Sequence, residues 1–298
     1  MKLVTFEANG IGTSYGVVRG GRVAVPPASF RAEYPTLRSV LGNVKLLDSE
    51  TNASAISFPL DGVTLLPPIP SPDKVICVGI NYTSHRHETG RAESLYPAIF
   101  LRFADTQVGS EAPIVRPRIS QALDFEGELA VIIGRGGRYI DRERALQHVA
   151  GYSCYNDVSV RDWQRHTHQF TPGKNFPNTG AFGPWLVTAD EIPDPAQLRL
   201  TTRLNGQIVQ EACTGEVIFS IPEIIAYIAS FTKLAPGDVI ATGTPGGVGF
   251  KRTPPLYMKA GDQVAVEISS IGILHNPVVE ESAIDDDRSV AEALHARR

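Results

Sequence analysis

Three acidic residues give the chain its first chemical suggestion. Glu126 and Glu128 flank Gly127 at the head of an apolar, β-branched run, Leu129 to Ile133, that ends at Gly134. Such a run reads as a buried strand. Side chains alternate along a strand, so the two carboxylates share one face, and Gly127 puts no bulk on the other. Two carboxylates held together beside an apolar core repel each other. Either one takes up a proton, or a divalent cation lies between them. An all-oxygen site suits Mg²⁺, Mn²⁺ or Ca²⁺ better than Zn²⁺. Glu-x-Glu by itself describes a solvated strand edge equally well. The apolar strand that follows favours the cation, and so does a third carboxylate, Asp157, at the end of the strand-like stretch beginning at Gly151.

Other groups could supply the rest of a reaction. In Asn81-Tyr82-Thr83-Ser84-His85-Arg86-His87-Glu88-Thr89-Gly90, Asn81, Thr83 and Ser84 are candidate helix caps and Gly90 a candidate stop. One helical turn would place His85 and Glu88 on the same side. A carboxylate there fixes the ring tautomer and raises its basicity, as a general base needs. Taken alone, this stretch equally describes an exposed cap. Arg161 and Gln164 are spaced to share a helical face. Lys174 sits in the loop Thr171-Pro172-Gly173-Lys174-Asn175-Phe176, where a lysine near a cation-bound substrate could stabilise a developing enolate. The glycine-rich stretch Gly243-Thr244-Pro245-Gly246-Gly247-Val248-Gly249 lacks the spacing and following helix of a nucleotide loop. Its backbone N–H groups and the Thr244 hydroxyl still offer donors for an anion such as a carboxylate. His148 reads as a surface or packing residue, and His166 and His168, in a polar stretch, as solvated.

The elements that must position these groups are mostly strands. Residues 2–7 read as a strand and 15–25 as a hairpin turning at Gly20-Gly21. A short helix is expected over 36–41 and a strand over 63–66. The cluster Pro67-Pro68-Ile69-Pro70-Ser71-Pro72 reads as a stiff linker. This divides the chain into a small β-rich N-terminal domain, 1–66, and a larger domain, 67–298. Further strands are expected at 74–80, 151–159, 185–188, 239–242, 264–268 and 271–277. Asn205-Gly206 marks a hairpin within 198–209. Helices are expected over 141–150 and over 220–228, the latter with a Ser220/Glu223 capping box. Residues 91–113 read as a lid followed by a strand, and the charged tail from about Glu280 as frayed or a peripheral helix.

Composition sets limits on partners. The chain has 298 residues, a formal net charge of −4, 42% hydrophobic and 20% charged residues. Such values are ordinary for a globular protein, and the absence of a basic excess argues against nucleic acid as a partner. The three cysteines, Cys77, Cys154 and Cys213, are odd in number and lie in apolar or strand-like contexts, so they read as reduced core residues. No apolar run approaches membrane-spanning length, and the N-terminus lacks a signal-peptide pattern. A cytoplasmic protein is expected.

In this order, the motifs resemble the fumarylacetoacetate hydrolase family over roughly residues 72–279. The resemblance rests on Val78-Gly79-Ile80-Asn81-Tyr82 with His85 and Glu88, on Asp124 to Leu129, on Gly151-Tyr152 through Asn156-Asp157 and Arg161-Asp162, on Gly173 to Phe176, and on Pro236 to Ile240 with Gly243-Thr244-Pro245. It implies an α+β, mainly β, mixed β-roll catalytic domain around a Mg²⁺ or Mn²⁺ ion (Ca²⁺ in some crystals), ligated by Glu126, Glu128 and Asp157. It also implies a catalytic His85–Glu88 dyad on a mobile lid, with Lys174 completing the catalytic group. Gln164, Arg161, Arg102 and Thr244 are the substrate-binding residues it suggests, and many members are homodimers. In two places the chain departs from the usual pattern: Arg102 stands where many relatives carry lysine, and Pro177 where many have aspartate.

The activity implied is hydrolysis of a C–C bond in a 2,4-diketo acid, of the kind formed in ring cleavage or sugar-acid breakdown, through a pyruvate-type enolate. The alternative is oxaloacetate decarboxylation, or isomerisation or hydration of a 2-hydroxydienoate, by the same enolate chemistry. A non-catalytic binding protein that keeps a cation for stability is the rival from another class.

Overall fold

The computed structural model describes residues 1–282. Its architecture is α+β and mainly β. A large mixed sheet runs in the order Ser57–Pro59, Arg22–Ala24, Gly12–Arg19, Lys2–Ala8, Gly180–Thr188, Val149–Asp157, Gly127–Ile133, Val239–Ala241, Val75–Gly79 and Ala98–Arg102. A five-stranded sheet, Gln207–Cys213, Arg199–Leu204, Gln263–Ile268, Gly272–Glu280 and Ile114–Arg116, packs against it. A two-stranded ribbon pairs Leu123–Asp124 with Ser159–Val160.

Gly127–Ile133 lies near the middle of the large sheet and is buried along its whole length. Leu129, Val131 and Ile133 enter the core shared with the five-stranded sheet. Ala130 and Ile132 enter the opposite core, with Leu3, Tyr15, Leu37, Tyr155 and Phe182. A strand covered on both faces explains the unbroken apolar run. It also explains Gly127: a Cβ there would lie 2.1 Å from Thr202 Oγ1 on the second sheet.

The N-terminal 66 residues do not form a separate sheet. Lys2 and Leu3 pair with Val187 and Leu186, and Leu3, Tyr15 and Leu37 share a core with Ala130 and Ile132. The proline cluster therefore joins two parts of one continuous sheet.

The hairpins form where the turn residues require. Asn205 and Gly206 have φ of 50° and 81° between Arg199–Leu204 and Gln207–Cys213, the signature of a tight turn with two left-handed residues. The helix Ile221–Phe231 has the expected Ser220/Glu223 capping box and buries Ile224, Ile225 and Ile228, each contributing about 1.5–3 kcal/mol of transfer free energy. Over 141–150 the structure differs: Arg142–His148 is a 3-10 helix, and Val149 already begins a strand. A helix at Val44–Ala53 has no clear signal in the sequence, because it buries only Leu47 and Thr51. Most of the charged tail from Glu280 lies outside the described residues. No helix among these is long and apolar enough to cross a membrane, and all three cysteines are free.

Candidate active site

The strand register brings the three carboxylates together. Gly127 pairs with Asn156 and Glu128 with Tyr155, and the Asp157 N–H donates to the Glu126 carbonyl at 2.8 Å. Ligand oxygens of Glu126, Glu128 and Asp157 then lie within 4.8 Å of one another, all three residues buried. At the head of the strand, side chains take over from the ladder. Glu126 N–H donates to Asn156 Oδ1 at 2.9 Å and Gly127 N–H to Gln210 Oε1 at 3.0 Å. Gln210 turns its Nε2 to Thr244 Oγ1 at 2.8 Å, tying this strand to the glycine-rich stretch. Nothing in the sequence marked Gln210.

Three buried cations surround the carboxylates. Lys174 Nζ donates to Glu126 Oε2 at 2.5 Å and to Asp157 Oδ2 at 2.6 Å. Arg161 Nε donates to Asp124 Oδ2 at 2.8 Å, and its Nη2 stands 2.6 Å from Glu126 Oε1. Arg102 Nη1 donates to Asp157 Oδ1 at 2.8 Å. Burial alone would raise the Glu126 carboxyl, but Arg161, Lys174 and His85 together bring it down to about 2. Glu128 has no such partner. Burial, with Asp157 and Glu126 adding to it, pushes its carboxyl well above the ordinary range, and Lys174 and the Gly243 N–H only partly offset them. A buried oxygen cluster with one uncompensated carboxylate fits a divalent cation of the Mg²⁺ or Mn²⁺ type.

Glu126, Glu128 and Asp157 form the floor of one cavity of about 780 Å³, whose walls include His85, Arg161, Gln164, Lys174, Thr244 and Phe250. His85 is carried on the short helix Thr83–Thr89, which ends at Gly90 with φ 67°. Its Nδ1 stands 3.2 Å from Glu88 Oε2, and the Gly247 N–H holds Glu88 Oε1 at 3.0 Å. The carboxylate is thus anchored on both oxygens, and Nε2 is the ring nitrogen left to exchange protons. Gln164 Oε1 accepts from Arg161 Nη1 at 3.0 Å, which leaves its Nε2 to donate elsewhere.

Several expected residues are placed differently. Arg102 does not line the cavity. Its guanidinium, wholly buried behind Asp157, also donates to Val158 O and Thr179 Oγ1, so it holds a floor carboxylate from the back instead of meeting a substrate. Pro177 is exposed and outside the cavity wall. The Thr244 hydroxyl lines the cavity but donates to Gly127 O at 3.0 Å. His168, read as solvated, is exposed but lines the cavity.

Asn81 does not cap the helix, which lacks any side-chain cap. Fully buried, it donates to Thr242 O at 2.7 Å and accepts from Phe219 N–H at 2.8 Å. The glycine-rich stretch does bind carboxylates, but they belong to the protein itself. Gly243 N–H serves Glu128, Gly247 N–H serves Glu88, and the N–H groups of Gly249 and Phe250 serve Asp124 at 2.8 and 3.0 Å.

Comparison with known proteins agrees with this layout. The family model for the fumarylacetoacetate (FAA) hydrolase C-terminal domain matches residues 74–279. The mitochondrial oxaloacetate tautomerase FAHD2A of Homo sapiens is 44% identical over 224 residues, 74% of this chain and 71% of that one. Among solved structures, the fumarylacetoacetate hydrolase of Exiguobacterium antarcticum is 37% identical with a TM-score of 0.83, covering 94% of this chain and 100% of its own. The maleylpyruvate hydrolase of Sphingobium sp. SYK-6, in complex with manganese (II) ion and pyruvate, is 29% identical with a TM-score of 0.78, covering 95% and 100%.

Proposed function

The chain belongs to the fumarylacetoacetate hydrolase family, and from that premise we propose that it interconverts the enol and keto forms of a 2-oxo acid by moving a proton at C3. The observation that carries this reading is one proton-transfer group, His85 with Nδ1 fixed by Glu88, in the same cavity as the carboxylate floor and Lys174. The 44% identity to an oxaloacetate tautomerase supports it. Keto–enol interconversion is not itself among the activities read from the sequence; it shares with the alternative read there an enolate and a proton shuttle without an attacking water.

Glu126, Glu128 and Asp157 would hold a Mg²⁺ or Mn²⁺ ion, which when bound supplies positive charge for the substrate's carboxylate and 2-oxygen. Lys174, kept protonated against its burial by Asp157 and Glu126, favours negative charge on that oxygen. Gln164 Nε2 donates to the substrate and fixes its orientation. In the ketonising direction His85 Nε2 delivers a proton to C3 while the enol oxygen loses its own to solvent. In the other direction His85 withdraws the C3 proton. Glu88 holds the ring throughout.

The test follows the ultraviolet absorbance of enol-oxaloacetate with Mn²⁺-loaded protein. Wild type should accelerate its loss, and His85→Ala should lose roughly 10²–10⁴-fold of that acceleration while keeping its Mn²⁺-dependent rise in melting temperature. If His85→Ala ketonises as fast as wild type, the assignment fails. A second reading, hydrolysis of an acylpyruvate with His85 deprotonating water, draws support from the likeness to the maleylpyruvate hydrolase. Mass spectrometry of acetylpyruvate incubated with the enzyme separates the two, since only hydrolysis yields pyruvate and acetate.

A further inference from the structure

The charges of the cavity are not spread evenly. Its three acidic wall residues, Glu126, Glu128 and Asp157, are all on the floor. Arg91, Arg165 and Lys251 also belong to the wall, and all three are exposed; Arg165 and Lys251 are the two that share a ring. They gather at Phe250. The Arg165 guanidinium carbon lies 4.6 Å from the ring centroid and Lys251 Nζ 5.6 Å from it. Arg161 lies 4.4 Å from the same ring, but Asp124 and Glu126 already take its charge. Arg165 and Lys251 have no carboxylate partner among the described residues.

This cluster is held from beneath. Asp124, fully buried, accepts the N–H groups of Gly249 and Phe250 and the Nε of Arg161. One carboxylate thus fixes both the turn that carries Phe250 and Lys251 and the helix Arg161–Gln164 that Arg165 ends. Two unneutralised cations brought to one ring repel each other. An anion between them removes that cost and adds charge-assisted hydrogen bonds.

We propose that Arg165 and Lys251, set about Phe250, form a second anion subsite that takes the far carboxylate of an extended 2-oxo diacid. The class of substrate rests on the 2-oxo-acid reading given above; the subsite rests on the placement of the cations. Glu126 meets Arg161, Arg161 meets the Phe250 ring, and Arg165 and Lys251 meet the same ring, so a substrate that reaches from the floor to these cations carries several carbons between its two carboxylates.

Calorimetric titration of the Mn²⁺-loaded full chain tests this with 2-oxoadipate and 2-oxohexanoate, which share head and length and differ in the terminal carboxylate. Wild type should bind the diacid at least tenfold more tightly, equivalent to about 1.4 kcal/mol. The double variant Arg165→Gln/Lys251→Gln should lose that preference and bind 2-oxohexanoate as wild type does. If wild type shows no preference, or the double variant keeps it, the subsite is wrong. If adipate, which keeps the terminal carboxylate but lacks the 2-oxo group, binds as tightly as 2-oxoadipate and the double variant abolishes both, the subsite stands and the 2-oxo-acid reading falls. If neither 2-oxo acid binds, both fall.

Discussion

Removing the charge of Glu128 should stabilise the metal-free protein and abolish its response to a divalent cation. Glu128 is buried, its ligand oxygen lies within 4.8 Å of those of Glu126 and Asp157, and its one hydrogen bond is from Gly243 N–H at 2.8 Å. Lys174, Arg161 and Arg102 are bonded to the other carboxylates. At the 4.8 Å limit, like charges repel by about 3.5 kcal/mol per pair for an effective dielectric of about 20. The field of nearby Lys174 takes back part of this, so Glu128→Gln should gain about 1–3 kcal/mol, or roughly 2–4 °C per kcal/mol in a chain of this size. Glutamine keeps an oxygen for Gly243, which isolates the charge.

The gain should depend on pH with a definite sign. The Glu128 carboxyl is raised in the folded state, so the native protein holds a proton that the unfolded chain releases. Metal-free stability therefore falls as pH rises from the ordinary carboxylate range towards the elevated value. Glu126, brought down to about 2, contributes stability that is complete above the ordinary range and lost only in acid, so it does not mask the trend. Calorimetric melting in chelator from pH 5 to 8 should show wild type falling behind Glu128→Gln as pH rises. Excess Mn²⁺ at pH 8 should raise wild type and leave the variant unchanged. The reasoning is refuted if Glu128→Gln melts lower than wild type in chelator across that range, or if Mn²⁺ raises both equally.

Two further substitutions probe what holds the floor in place. Gly127→Ala drives a methyl against Thr202 Oγ1 and should cost about 1–3 kcal/mol; adding Thr202→Ala should restore most of it in denaturant unfolding, and failure to do so would place the strain elsewhere. Asp124→Asn removes the charge that meets Arg161 and takes away one acceptor oxygen. It should destabilise by roughly 3 kcal/mol, the low end for breaking a buried pair, since Arg161 keeps Glu126; a neutral effect would show that Asp124 does not hold the Phe250 turn.

What the sequence disclosed about the site followed the period of the backbone. Glu126 and Glu128 could be read as neighbours because strand alternation is local, and Asp157 because it ends the next strand. His85 and Glu88 were legible for the same reason on a helix. Asp124 was not, since its meaning depends on the N–H groups of Gly249 and Phe250, far along the chain. Likewise, Arg102 looked like a pocket residue from its place in a motif, but the cross-strand packing turns it behind Asp157. The glycine-rich stretch was read as offering N–H groups and a hydroxyl to an anion; its spacing could not say that Glu88, Asp124 and Glu128 take the N–H groups or that the Thr244 hydroxyl donates to Gly127 O.

These acceptors show what the floor requires of a ligand. Asp124, Glu126, Glu128 and Asp157 are four buried carboxylates, and Arg102, Arg161 and Lys174 are three buried cations. With every carboxylate ionised the arrangement is one positive charge short of balance, and the shortage falls at Glu128, the carboxylate without a cation of its own, which without a metal keeps a proton instead. A monovalent ion would only neutralise the floor. A divalent ion reverses its sign by a single unit, enough to favour one carboxylate of a substrate and no more. A second carboxylate on the same molecule would find no surplus positive charge there, so it must be met by cations that the floor has not consumed. In the same cavity, Arg165 and Lys251 at Phe250 meet that requirement.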